Sequence, residues 1–241
     1  MTFAATALVC RIMARLSIIM PVLNEGEGIA AALDALIDLR TLGAELIVVD
    51  GGSQDATVQR ARIRADRVVL GPRGRALQMN AGAEKATGDV LLFLHADTRL
   101  PPMAEMLVLD GLARSGRDWG RFNVKIAGRS PLLRIVGHMM NLRSRITGIA
   151  TGDQAIFVKR DVFREVGGFA EIPLMEDIAL CKALKRKSRP LCIRRRAVTL
   201  GRRWDKEGVL RTVVLMWRLR LAYYFGADPA VLARRYGYGG P

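Results

Sequence analysis

The sequence predicts an α/β protein with a doubly wound, mostly parallel sheet flanked by helices, and three observations carry that prediction. Short apolar runs at residues 16–20, 45–50, 68–70 and 90–94 alternate with helix-period stretches. The run at 90–94 is apolar at every position, as expected of a strand buried on both faces at a sheet's centre. The 241 residues, half of them hydrophobic, suffice for one sizeable core, and no internal repeat or low-complexity segment interrupts them.

Leu16-Ser17-Ile18-Ile19-Met20 is β-rich and stops at Pro21. Asn24 followed by Glu27 has the form of a capping box, and Ile29, Leu33, Leu36 and Ile37 then recur at helical spacing until Gly43. A second strand at 45–50 enters the tight turn Gly51-Gly52-Ser53-Gln54-Asp55 and a second capped helix. A third strand, 68–70, meets the glycine-spaced basic loop Gly71-Pro72-Arg73-Gly74-Arg75 and a helix over 76–86. With strand 90–94 this makes a β-α-β-α-β-α-β series, which implies right-handed parallel connections. Beyond it, 101–113 reads as helix and 120–126 alternates like an exposed strand. Residues 132–146 form an amphipathic helix mixing Met and Leu with Arg134, Arg143 and Arg145. Residues 154–158 read as a strand, Gly167-Gly168-Phe169 as a turn, and Met175-Glu176-Asp177 as a helix start. The last third reads as strand, basic loop and a long apolar helix over 209–225. Residues 1–13 read as an extension outside the fold, 14–204 as the sheet domain, and 205–241 as a helical segment packed on it or lying at a membrane interface.

The net charge is +15, and Arg and Lys crowd the second half, notably at 182–189, 194–196, 202–203 and 211–220. Such a surplus favours anionic partners: nucleic acid, acidic headgroups or a diphosphate. It also suits a solvated basic face of no special role. Cys10, Cys181 and Cys192 are scattered and form no C-x-x-C. This argues against a disulfide framework or zinc site and fits a reducing cytoplasm. The apolar first dozen residues lack a basic leading segment and a clear cleavage site, so a signal peptide is not expected.

The chemistry concentrates at strand ends: Pro21 to Glu25, Asp50 to Ser53, Arg73 to Arg75, and His95 to Asp97. Open α/β sheets bind ligands at the carboxyl edge, where such loops converge. Residues i and i+2 of an extended segment project to one side, so His95 and Asp97 can face one ion. Their plainer role is helix capping by Asp97 and Thr98. No G-x-G-x-x-G follows the first strand and no G-x-x-x-x-G-K-[ST] occurs, which weighs against dinucleotide and P-loop chemistry.

Taken together, Ile18 to Glu25 (IIMPVLNE), Val48 to Ser53 (VVDGGS), Phe93 to Asp97 (FLHAD), Gly167-Gly168-Phe169 and Glu176-Asp177 strongly resemble the family 2 glycosyltransferases of GT-A fold. Arg202-Arg203-Trp204 resembles the R-W element of related enzymes, and the short bacterial subgroup found with arsenosugar and radical-SAM pathways looks most similar. The resemblance implies an inverting, metal-dependent transfer from a nucleoside-diphosphate sugar, with UDP the expected nucleotide. Pro21, Val22, Asn24, Glu25, Asp50, Gly51 and Ser53 would hold the nucleotide, Asp50 near the base and Glu25 near the ribose. Arg75 would lie near the diphosphate. Asp97, in the D-x-D position with His95 and Ala96 beside it, would hold Mn²⁺ or Mg²⁺. His95 stands where the family often has Asp; it is either a ligand, favouring Mn²⁺, or a support behind one. Asp177 of the Glu176–Asp177 pair would be the general base, kept ionised by its helix N-terminus. Gly152 and Asp153 could contact donor sugar or acceptor, against the alternative of an ordinary turn. Arg202, Arg203 and Trp204 would form a lid, or else a basic loop with one aromatic anchor.

Two other classes fit parts of the sequence. A sugar-1-phosphate nucleotidyltransferase shares the sheet but wants a Gly-rich basic loop where Pro21-Val22-Leu23-Asn24 stands. A non-catalytic basic module on membrane or nucleic acid is favoured by charge alone. With the transferase reading, the partners are a nucleotide sugar and a small-molecule or lipid-linked acceptor, without nucleic acid. The 209–225 helix, interrupted by Arg211, Arg218 and Arg220, suits a membrane interface, the core or a homodimer better than a bilayer span. The expected location is cytoplasmic, with peripheral contact at the inner membrane face.

Overall fold

The computed structural model describes residues 14–238. Eight strands, β1 (Leu16–Val22), β2 (Glu45–Asp50), β3 (Arg67–Leu70), β4 (Val90–Phe93), β5 (Thr98–Arg99), β6 (Trp119–Ala127), β7 (Phe157–Lys159) and β8 (Leu191–Leu200), form one sheet in the order β3-β2-β1-β4-β7-β6-β8-β5. Strands β3, β2, β1 and β4 are mutually parallel, while β7 runs antiparallel to both β4 and β6. Strand β8 is parallel to β6, and β5 lies antiparallel to β8. The first half is therefore the predicted parallel winding, and the second half is mixed.

Period-two alternation divides the core between the two faces. Ile18, Met20, Leu46, Val48 and Leu92 pack on one side with Ile29, Leu33, Val108 and Leu112 of the covering helices. Ile19, Ile47, Val49, Leu91 and Phe93 pack on the other with Ala76, Met79 and Leu180. Gly82 makes that second layer close, because a Cβ there would meet the side chains of Ile19 and Val49.

Several expectations change. Pro21 lies inside β1 rather than ending it, paired with Val49 of β2. Its neighbour in phase, Ile19, bonds toward β4 by accepting from the Leu94 N–H. Pro21 faces the same side, where the β4 ladder has stopped at Phe93, so its missing N–H loses no ladder bond. Asn24 does not cap the first helix. It sits at φ 52° and ties two loops together, while helix Ile29–Asp34 starts after Gly28 and gives way to a second piece, Ile37–Thr41. Strand β6 is not exposed: Trp119, Arg121 and Phe122 are fully buried between β7 and β8. Of the 154–158 run only the end is strand, since Gly152–Gln154 forms a 3-10 turn. The basic loop at 202–203 is the helix Arg202–Glu207. After helix Val209–Tyr224 comes a further helix, Pro229–Tyr236, which the sequence reading missed. Leu219, Leu232 and Ala233 of these last two helices pack against Leu174, Met175 and Ile178, beside the Glu176–Asp177 pair. The proposed extension 1–13, with Cys10, lies outside the described residues; Cys181 and Cys192 are free thiols.

Candidate active site

Two loops tied side by side form a wall at the carboxyl ends of β1 and β2. Asp50 ends β2 with its carboxylate buried, and its Oδ2 accepts the N–H groups of Gly52 at 3.0 Å and Ser53 at 2.9 Å. Its Oδ1 is buried with no hydrogen-bond partner. An orphaned buried acceptor is costly unless a ligand supplies the donor. Asn24 joins the Pro21–Glu25 loop to this turn, its N–H donating to Ser53 Oγ at 2.8 Å and its Oδ1 accepting from Gln54 N at 2.9 Å. Beneath them Gln78, a residue that no motif singled out, donates from Nε2 to both Val22 O and Val49 O at 2.8 Å. Gly51 rests on that amide, within 3.1 Å of which a Cβ would intrude.

Next to this wall opens a cleft of about 1420 Å³. It gathers Glu25, Arg75, His95, Asp97, Gly152, Asp153, Glu176, Asp177, Arg202, Arg203 and Trp204, residues spread over most of the chain. Pro21, Val22, Asn24, Asp50, Gly51, Ser53 and Ala96 do not line it; they stand behind or beside it in the strand-end loops. Glu25 pairs with Arg202 at 3.3 Å, joining the first loop to the helix after β8. The Arg203 guanidinium stacks on the Tyr236 ring at 3.7 Å, bonds Glu207 and Tyr236 O, and Arg75 lies 5.4 Å from the Tyr238 ring centre. Tyr236 and Tyr238 thus cover Arg203, predicted for the lid, and Arg75, predicted near the diphosphate, and no local pattern in the sequence announced these contacts.

Asp97 follows β4 at the rim, its Oδ1 accepting from Thr98 Oγ1 at 3.2 Å and Thr199 Oγ1 at 3.5 Å. His95 Nδ1 lies 3.5 Å from Asp153 Oδ1, and Gly152 is packed against the imidazole edge so closely that a Cβ would clash. Burial works to raise the Asp153 carboxyl, but His95 and Arg75 outweigh it and hold it below the usual carboxylate range. Among the described residues no group of three or more His, Cys, Asp or Glu side chains is arranged to hold a metal. One carboxylate at a cleft rim suits a hard cation that takes one or two protein oxygens and completes its shell with substrate phosphates and water.

Glu176 and Asp177 begin helix Glu176–Leu184, directly after Met175 at φ 72°. Asp177 uses both oxygens on backbone donors, Oδ1 from Ile178 N at 2.7 Å and Oδ2 from Gly152 N at 3.2 Å. Burial nevertheless raises its carboxyl, against those N–H groups and Arg143. The backbone N–H groups at the helix N-terminus favour the ionised form of Asp177, as expected, while desolvation pulls its carboxyl the other way and sets the net direction of the shift. Burial and the adjacent Asp177 push Glu176 up to about 7, with Arg75 opposing. A buried glutamate poised near neutrality beside a second acid is suited to taking up a proton.

Residues 17–118, less than half of the chain, match the model of the family described as glycosyl transferase family 2. The matches support a glycosyltransferase. One similar protein is the PGL/p-HBAD biosynthesis glycosyltransferase of Mycobacterium bovis, 40% identical over 91 residues, 35% of this chain and 36% of that one. Another is the undecaprenyl-phosphate 4-deoxy-4-formamido-L-arabinose transferase of Yersinia pestis, 29% identical over 158 residues, 60% of this chain and 48% of the relative. The chain thus spans about a third to a half of these relatives' length. Among solved structures, the glucosyl-3-phosphoglycerate synthase of Mycobacterium tuberculosis, in complex with Mn²⁺, UDP and glucosyl-3-phosphoglycerate, superposes with a TM-score of 0.64 at 19% identity, covering 98% of this chain and 85% of that chain. That likeness shows a common GT-A fold: a curled mixed sheet between helices. The arsenosugar-linked subgroup finds no echo in these matches.

Proposed function

We propose that this protein is an inverting glycosyltransferase that moves a sugar from a UDP-sugar to an acceptor hydroxyl with the help of a divalent cation. The observation that carries the reading is the buried, unpartnered Oδ1 of Asp50 at the nucleotide wall, beside a cleft holding both a rim carboxylate and a buried acid pair. Asp50 would accept a donor from the base, Glu25 would approach the ribose, and Arg75, Arg202 and Arg203 would neutralise the departing diphosphate. Asp97 would hold Mn²⁺ or Mg²⁺, with His95, oriented by Asp153, beside it; the cation supplies charge to the leaving phosphates. The Glu176–Asp177 pair would take the acceptor proton. The reported match to a synthase with Mn²⁺ and UDP supports the donor and the metal as a proposal. Helices Leu132–Thr147 and Val209–Tyr224 present exposed apolar side chains beside Arg, which supports peripheral contact with an anionic membrane face. The alternative places the same faces in a homodimer.

The deciding experiment compares UDP affinity of wild type and Asp50→Ala by calorimetry. The variant should bind more weakly by about 1–3 kcal/mol, the scale for losing a buried hydrogen-bond partner. Equal affinities would rule the assignment out. A thermal-shift panel of UDP-, GDP- and dTDP-sugars with and without Mn²⁺ identifies the donor, because specific ligands raise apparent stability.

A further inference from the structure

Two arginines of the cleft are left without work by the donor chemistry. Arg143 belongs to helix Leu132–Thr147 and Arg220 to helix Val209–Tyr224, and both line the cavity that contains Glu176 and Asp177. In each, Nε is buried with no hydrogen-bond partner. Arg143 donates from Nη2 to Ile149 O at 3.5 Å, a long contact, and burial holds its guanidinium below the ordinary range although Asp177 opposes this. Neither side chain forms an ion pair among the described residues. A buried donor without an acceptor is unfavourable, and the guanidinium fork matches a phosphate. Two such forks balance a dianion.

The same cavity continues into an apolar groove between these two helices. Ile135 and Met139 line it from one, Val214, Trp217 and Leu221 from the other, and Trp217 is 69% exposed. A contiguous apolar face of this kind marks a binding surface. Its continuity with the arginines and the acid pair ties the apolar and anionic features to one molecule.

We propose that the acceptor is an amphiphile: a phosphate monoester head on Arg143 and Arg220, a hydrocarbon tail along the Trp217 groove, and a hydroxyl near Glu176 and Asp177. This rests on the glycosyltransferase reading of the cleft. The hydroxyl oxygen forms its bond to the anomeric carbon as the bond from that carbon to the diphosphate breaks. The nucleoside diphosphate leaves with the electron pair, and the hydroxyl proton passes to the acid pair.

The test titrates the full chain with three probes below their aggregation limits: dodecanoyl lysophosphatidate, dodecanoyl glycerol and glycerol 3-phosphate. Tryptophan fluorescence reports binding, with UDP affinity measured in parallel. Lysophosphatidate should bind at least about tenfold more tightly than either partial probe, a difference of about 1.4 kcal/mol, and should shift the Trp emission to the blue. Arg143→Gln and Arg220→Gln should each erase the preference for the charged head while UDP affinity holds. Equal binding of charged and neutral amphiphiles, unchanged Gln variants, or binding to anionic vesicles without binding to dispersed lipid would each overturn the proposal. Should a Gln variant fail to fold, the wild-type comparison of the three probes decides alone. A retained phosphate preference without any UDP binding would refute the donor reading and leave this site standing.

Discussion

Glu176 and Asp97 are carboxylates in contrasting surroundings, and each surrounding predicts a different behaviour. Glu176 is 7% exposed beside a second acid, and its carboxyl stands at about 7 instead of 4.5. Between those two values the folded protein holds a proton that the unfolded chain has released, so its stability falls as pH rises through the window and levels off above it. Glu176→Gln should therefore raise the melting temperature relative to wild type at about pH 8 and much less at about pH 5. Scanning calorimetry at both values checks this; an equal shift at the two would contradict the assigned burial. Activity of the wild type should rise with pH through the same region, the apparent value belonging to the Glu176–Asp177 pair. Asp97 is half-buried at the cleft rim with hydroxyl donors on Oδ1. Asp97→Ala should abolish turnover and the Mn²⁺-dependent thermal shift with donor, leaving the circular dichroism unchanged. Undiminished turnover, with contaminating wild-type enzyme excluded, would end the metal assignment.

Among the elements, helix Arg75–Lys85 links fold to site. Its Gly82 lets the helix lie close on β1 and β2, and its Gln78 ties the carboxyl ends of those strands together. The strand ends carry the Pro21–Glu25 and Asp50–Ser53 loops, so their spacing sets where a nucleotide would lie. Gln78→Ala removes two buried hydrogen bonds and should cost about 1–3 kcal/mol of stability in urea denaturation. It should also weaken UDP binding, since the Asp50 turn rests on that amide. A variant with reduced stability and intact UDP affinity would confine Gln78 to a scaffold role.

The whole molecule carries a net charge of +15, and the two helices Leu132–Thr147 and Val209–Tyr224 that line the cleft also expose apolar residues. Among the described residues no helix is long and apolar enough to cross a membrane. A basic surface of this kind gains about 1 kcal/mol per Lys or Arg near an anionic leaflet, and salt weakens that attraction by shortening the screening length. The protein should float with anionic vesicles at low ionic strength and release at high ionic strength. Failure to float at any salt, together with a dimer in solution, would assign the apolar faces to a second copy.

Much of this arrangement was legible in the chain itself. Local periodicity marked β1 to β4 and the helices between them, because a strand buried on both faces and a helix with one apolar face write different spacings. The ordered motifs at 21–25, 50–53, 95–97 and 176–177 marked the ends that carry the acids. Tertiary structure decided what depends on distant neighbours. Pro21 is tolerated within β1 because β4 ends early beside it. Strand β6 is buried because β7 and β8 enclose it. Tyr236 and Tyr238 reach Arg203 and Arg75 across more than 30 and 160 residues respectively. The raised carboxyls of Glu176 and Asp177 were likewise unreadable: sequence supplies a helix N-terminus that favours charge, whereas only packing supplies the desolvation that opposes it.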